Sequence, residues 1–365
     1  MCQNDFVKIK LLETPVLAFI GGLLIRIYLV VRMPVWLDEK FTVKLLDHQL
    51  LQIVSGNLDS THPPGYYVLL KLWSFISTNT SWLRLSTLLL YFFNFLLLYQ
   101  IGKIFLGKKV GQLLVFTYAF SGYFLIFDWQ FRMYTGLTTF ILFSLYLFHG
   151  KLTTKKILAS FMVNLAGLFF DYGFIIYFLP LLVWAWSSVF GKEKNNIVVR
   201  AITISTSFLM YLSIWGPHFV NHFKKGLSGI EWVKYFSNPL FFIPYFLGSH
   251  FQIIFSFIFF GLVAYGIFSN TFRKISKPSN LLLFISLTSL VTSLLISWLF
   301  VPFFHVRSLQ IVGITVLFCY AKALSNLFNR NKILAYLIIS IFIINAVIIM
   351  NRLPILPGEF LISLP

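Results

Sequence analysis

A chain of 365 residues that is 58% hydrophobic and only 11% charged cannot cover itself with the polar surface that a water-soluble domain needs. Its formal charge of +18 is not a nucleic-acid footprint, because the basic residues sit in short clusters between apolar runs, as loops at a membrane face do. Cys2 and Cys319 are too few and too far apart for a disulfide framework or a thiolate metal site.

Apolar runs fall near residues 14–33, 83–106, 110–127, 133–149, 155–171, 173–190, 199–216, 249–269, 281–301, 307–328 and 332–350, which predicts an all-α integral membrane protein of about eleven transmembrane helices. They must be helical, since an unpaired backbone amide in hydrocarbon costs several kcal/mol and no alternating barrel pattern is present. The first run is long enough to span and is followed by no small-residue cleavage site, so it is not read as a signal peptide. Arg26 and Arg32, near its end, read as residues that snorkel to the headgroups.

The first long polar interruption runs from residue 34 to 82. There Asp38 is expected to cap an interfacial helix from Glu39 to Ser55, with Phe41, Leu45, Leu46, Leu50, Ile53 and Val54 on one apolar face. His62-Pro63-Pro64-Gly65-Tyr66-Tyr67 then opens a second interfacial helix, whose prolines suit a first turn. Residues 66–77 are too short to cross a bilayer and include Lys71.

With that segment at the interface and the amino terminus inside, every inner loop is basic, including Lys103, Lys108 and Lys109, then Lys151, Lys155 and Lys156. One transmembrane domain is expected over residues 1–350, with long outer loops at 34–82 and 217–248 and a short outer tail at 351–365. His218 and His222, spaced i, i+4 in the second loop, would suit a metal only if helical.

Of eleven acids, Asp5, Glu13 and Glu193 fall inside, while Asp38, Glu39, Asp47, Asp59, Asp128, Asp171, Glu231 and Glu359 fall outside. Short outer turns carry Asp128 with Arg132 and Tyr134, Asp171 with Tyr172, and His305 with Arg307. Loops distant in sequence thus deliver acids, His and Arg to one membrane face, the geometry of a polar site above an apolar groove.

Trp36-Leu37-Asp38-Glu39 after the first run, the His62-Pro63-Pro64 segment and Arg132-Met133-Tyr134 opening the fourth, taken in that order, resemble the polyprenyl-phosphate-sugar-dependent GT-C glycosyltransferases, of the protein mannosyltransferase and aminoarabinose transferase type. The resemblance covers the first half well, through about Tyr172, and thins after Trp215; the chain ends soon after its last run, without the soluble carboxy-terminal domain that many members carry. It implies a GT-C-like fold and sugar transfer from a polyprenyl-phosphate carrier to an extracytoplasmic glycan, lipid or protein acceptor, with Asp38, beside Glu39, as general base on the acceptor hydroxyl. His62, Asp128, Arg132, Tyr134, Asp171, His305 and Arg307 are the expected donor phosphate and sugar contacts, with Arg26 and Arg84 as further candidates for the phosphate. No cofactor is implied with certainty; a divalent metal stays open, since members differ in using one. No nucleic-acid partner is expected. The competing reading from a different class is a transporter or flippase for a lipid-linked glycan, in which the same basic groove binds phosphate without chemistry.

Overall fold

The computed structural model describes residues 15–59, 62–189, 194–229, 243–248, 253–268, 277–299 and 306–355. These form sixteen α-helices: α1 (Pro15–Arg32), α2 (Leu37–Leu46), α3 (Leu50–Val54), α4 (Gly65–Ser74), α5 (Thr80–Leu106), α6 (Lys108–Phe120), α7 (Gly122–Phe127), α8 (Tyr134–Phe148), α9 (Thr154–Phe170), α10 (Gly173–Val189), α11 (Lys194–Gly229), α12 (Ile243–Leu247), α13 (Ile253–Phe268), α14 (Lys277–Leu299), α15 (Gln310–Arg330) and α16 (Lys332–Arg352). Six of them, α1, α5, α11, α14, α15 and α16, are long and apolar enough to cross a membrane, and α8, α10 and α13 are shorter apolar helices. Every predicted apolar run falls on a helix, the third on the pair α6 and α7, but the count of eleven spans is not reached by length and composition. The chain is a multi-pass membrane protein with a wide belt of exposed Leu, Ile, Val and Phe for lipid to cover.

Local chemistry sets the helix ends. The side chains of Asn79, Thr153 and Asn331 cap α5, α9 and α16 by accepting the amides of Ser81, Lys156 and Leu334. Gly107, at φ 95°, reverses the chain between α5 and α6, which then pack so closely that a Cβ on Gly102 would stand 2.8 Å from the Gly111 Cα.

Two expectations are corrected here. The single helix expected over 39–55 is broken into α2 and α3, because Lys71 of α4 takes the Leu46 carbonyl at 2.5 Å while Gln49 begins a new helix closed by Gln52. The loop expected from Pro217 is helical as far as Gly229: α11 runs straight through the proline, so its last turns reach over the bundle end. Residues 230–242 lie outside the described set.

Charge is sorted along the bundle. Every acid among the described residues (Asp38, Glu39, Asp47, Asp59, Asp128 and Asp171) lies toward the end where α2, α3 and α4 gather. The opposite end holds Lys103, Lys108, Lys109, Lys151, Lys155, Lys156, Arg200, Arg330 and Lys332, and Lys109 there bonds Asn329 at 2.9 Å across the two turns.

Arg26 does not snorkel. It is fully buried and holds Asp128 through Nε at 3.1 Å and Nη2 at 2.8 Å, donates to the Gly22 and Ala119 carbonyls, and lies 4.0 Å over the Tyr91 ring. Asp128, expected among the donor contacts, is therefore spent on tying α1 to the turn after α7. Arg26→Met is expected to destabilise the solubilised protein by roughly 3–5 kcal/mol by stranding a buried carboxylate. Adding Asp128→Leu is expected to recover most of that loss in thermal unfolding; a double variant no better than the single would refute the pairing as the cause.

Candidate active site

The acidic pair splits its duties. Glu39 is fully buried, and its Oε2 accepts the Trp36 amide at 3.1 Å, so Glu39 rather than Asp38 closes the start of α2. Both Glu39 oxygens also take the Arg84 guanidinium, at 3.1 and 2.6 Å, and Oε1 accepts the Phe131 amide at 3.2 Å. Arg84 spends its remaining protons on the carbonyls of Val30, Met33 and Pro34 and lies 4.8 Å over Trp129. One buried charge pair thus fixes the exit of α1, the entry of α2, α5 and the turn before α8.

That frame leaves Asp38 outward and 30% exposed. Its Oδ2 accepts Arg307 Nη1 at 2.6 Å, and the same nitrogen donates to the Tyr134 hydroxyl at 3.0 Å. Gln310 holds the Arg307 carbonyl at 3.0 Å and accepts from Thr138, which anchors the short turn to α8. Burial alone would raise the Asp38 carboxyl, but Arg307, Arg132 and His62 together outweigh it and hold the group below the usual carboxylate range.

Arg132 is 4% exposed, and only its Nη1 makes hydrogen bonds: to Thr42 Oγ1 at 2.7 Å, the Asp38 carbonyl at 3.3 Å and the Tyr67 hydroxyl at 3.4 Å. Among the described residues its Nε is buried without a partner, and no carboxylate stands within ion-pair distance. Tyr67 donates to Asp59 at 2.6 Å, so its oxygen is what faces Arg132. Arg26, Arg84 and Arg307 each have a carboxylate. Arg132, 4% exposed, has no such ion pair among the described residues.

His62 and Asp171 complete this face, joined Nδ1 to Oδ2 at 3.2 Å, with His62 26% exposed and Asp171 5%. Asp171 also caps α10, its Oδ1 accepting the Gly173 amide at 2.7 Å. Behind them His222 of α11 bonds the Tyr172 hydroxyl at 2.8 Å and the Gly56 carbonyl at 3.0 Å, while Trp215 donates to the same hydroxyl. These bonds consume His222, so the i, i+4 histidines are not a metal pair.

Of the expected site residues, the structure brings Asp38, His62, Arg132, Tyr134, Asp171 and Arg307 to one face and withdraws Glu39, Asp128, Arg26 and Arg84 into buried pairs; His305 lies outside the described residues. Sequence reasoning gives no role to Thr42 or Asp59. Thr42 had a signal: it stands one helical turn from Asp38, whose carbonyl it bonds at 2.9 Å. For a divalent metal, no three of His, Cys, Asp and Glu converge as ligands among the described residues, and Asp38 and Asp171 already have basic partners, so no step below runs through one.

No family model matches the chain, and no curated protein does. Solved structures do. ArnT from Cupriavidus metallidurans bound to undecaprenyl phosphate is similar with a TM-score of 0.61 at 14% identity over 89% of this chain and 63% of its own. The archaeal oligosaccharyltransferase AglB from Archaeoglobus fulgidus, in complex with an inhibitory peptide and a dolichol-phosphate, gives 0.60 at 13% identity over 93% and 56%; an Archaeoglobus fulgidus oligosaccharyltransferase in complex with Zn and sulfate gives 0.55 at 14% identity over 92% and 53%. The GT-C-like fold expected from the motifs is borne out, and the chain spans about three-fifths of the length of these proteins.

A buried guanidinium with no ion pair among the described residues keeps charge and protons available for an anionic ligand. Arg132→Met is therefore expected to abolish the thermal protection that a polyprenyl phosphate gives the wild type. Protection retained in the variant would contradict this reading of Arg132.

Proposed function

We propose that this protein is a membrane glycosyltransferase that moves one sugar from a polyprenyl-phosphate carrier to an extracytoplasmic acceptor, with inversion and with Asp38 as general base. The observation that carries the reading is Arg132: a buried guanidinium with no ion pair among the described residues, beside a partly exposed carboxylate. A lipid phosphate supplies the missing charge, and a guanidinium suits it because it stays ionised beside lipid and donates in a planar fork.

The chemistry follows from that pairing. A sugar on a phosphate already has a stable leaving group, so the barrier lies in activating a hydroxyl and in holding the charge that forms as the bond breaks. Asp38 takes the acceptor hydroxyl's proton, the oxygen attacks the anomeric carbon from the face opposite the phosphate, and the C–O electron pair leaves with the phosphate beside Arg132. A single displacement inverts the centre. His62 oriented by Asp171, together with Tyr134 and Arg307, forms the wall against the phosphate and sugar. Glu39 and Asp128 act through their arginines and touch no substrate.

The sorting of charge supports the sidedness. The end whose lysines and arginines stand without a described acid fits the cytoplasmic face, and the end holding the described acids then faces outward, where lipid-linked sugars rather than nucleotide sugars are the donors. ArnT and AglB were solved with undecaprenyl phosphate and dolichol-phosphate, which is the ligand chemistry proposed here.

Asp38→Asn is expected to lower transfer by about 10²–10⁴-fold, the usual worth of a general base, while lipid-phosphate binding is kept. Transfer of radiolabelled sugar in proteoliposomes reads the first and lipid binding the second. Near-normal transfer in a well-folded Asp38→Asn would exclude Asp38 as the base, and lipid movement without any transfer would identify a flippase.

A further inference from the structure

The resting contact between Arg307 and Asp38 is a puzzle if both are catalytic. A base engaged at 2.6 Å by a guanidinium is shielded from an incoming hydroxyl, and a phosphate ligand whose charge is already neutralised has little left for phosphate. Resting on the reading above, we propose that Arg307 is a transferable counter-ion: it belongs to Asp38 in the empty site and is passed to the carrier phosphate as the donor binds and the bond breaks.

Charge bookkeeping through the reaction requires such a hand-over. The donor is a phosphodiester with one negative charge, and Asp38 carries another. When the acceptor's O–H bond breaks, its proton goes to Asp38, which becomes neutral. When the anomeric C–O bond breaks, its electron pair goes to the phosphate oxygen, and the carrier departs as a monoester with a second negative charge. Negative charge thus moves from Asp38 to the phosphate within one step. A cation fixed on Asp38 would oppose that movement, and a cation that follows it favours the transition state over the ground state.

The surroundings suit such a role. Arg307 lies in a three-residue 3-10 turn before α15, held by Gln310 and packed within 5.8 Å of the Tyr134 ring, and it already shares Nη1 between Asp38 and the Tyr134 hydroxyl. Tyr134 is the pivot, an acceptor that keeps one bond to the guanidinium while the other changes partner. Arg132 does not play this part, since of Asp38 it bonds only the main-chain carbonyl and acts on the carboxyl through space. The groups that act on the Asp38 carboxyl are Arg307 from the 3-10 turn, Arg132 from the turn before α8 and His62 from the segment before α4.

Binding of farnesyl phosphate, a short polyprenyl monophosphate, to purified protein separates the possibilities. Asp38→Asn takes the Asp38 carboxylate away from Arg307 and is expected to bind it at least about threefold tighter than wild type, the scale of a partly exposed ion pair. Arg307→Gln is expected to bind it weaker, and adding Asp38→Asn to Arg307→Gln is expected to bring no further gain. An equal gain in both backgrounds would mean that Asp38 merely repels phosphate through space, and no gain in either would mean that the ion pair does not compete; both overturn the proposal. Transfer supplies a second readout in active variants: in Arg307→Lys and Arg307→Gln the acid limb of kcat/KM against pH, which reports the empty site, moves to higher pH, with kcat falling more than KM rises. A limb that stays in place while KM alone rises would make Arg307 an ordinary phosphate clamp. If wild type neither binds farnesyl phosphate nor transfers sugar, the glycosyltransferase reading itself fails, which is a different result from normal wild-type binding with an additive cycle.

Discussion

Burying arginine in a membrane protein is costly unless the guanidinium finds an anion, and this constraint organises the bundle end. Glu39 and Arg84 meet with every Glu39 oxygen and most Arg84 protons used, and through them four separate chain segments are pinned together. Arg26 and Asp128 repeat the device one layer deeper. Between them these two pairs hold Asp128 and Phe131, two points of the turn that leads into Arg132. The geometry around Asp38 is inherited from contacts that touch no substrate.

The adjacent acids show how one short motif serves fold and chemistry without conflict. On a helix two consecutive side chains point about 100° apart, so Glu39 turns inward to Arg84 while Asp38 stays at the surface. Because Glu39 closes the helix start, Asp38 is released from capping. Arg132 is the opposite case, a buried residue with no ion pair among the described residues. A guanidinium left with protons to spare is the kind of local departure that accompanies function rather than folding.

Much of this was legible in the sequence, and unevenly. Helix positions followed from the apolar runs, because hydrocarbon leaves a backbone no other way to satisfy itself. The gathering of Asp38, His62, Arg132, Tyr134, Asp171 and Arg307 followed from sidedness, since turns an even number of crossings apart share a face. Pairing was not legible. Arg26 reads as a snorkelling residue until Asp128, 102 residues away, is seen against it, and nothing near Arg84 in sequence names Glu39 as its partner. The break between α2 and α3 depends on Lys71, twenty-five residues on, and the course of α11 through Pro217 overrides the usual meaning of proline. Periodicity reports which face is apolar, whereas charge pairs and helix breaks are settled by tertiary neighbours.

The central claim is that the unmatched guanidinium of Arg132 is the seat of a lipid phosphate. An experimental structure of the protein in lipid with a bound polyprenyl phosphate tests it most directly. The account predicts phosphate oxygens about 3 Å from Arg132 Nε or Nη2, on the face where Asp38 lies. A phosphate bound elsewhere in the bundle, with Arg132 still facing only Thr42, Tyr67 and the Asp38 carbonyl, would contradict it.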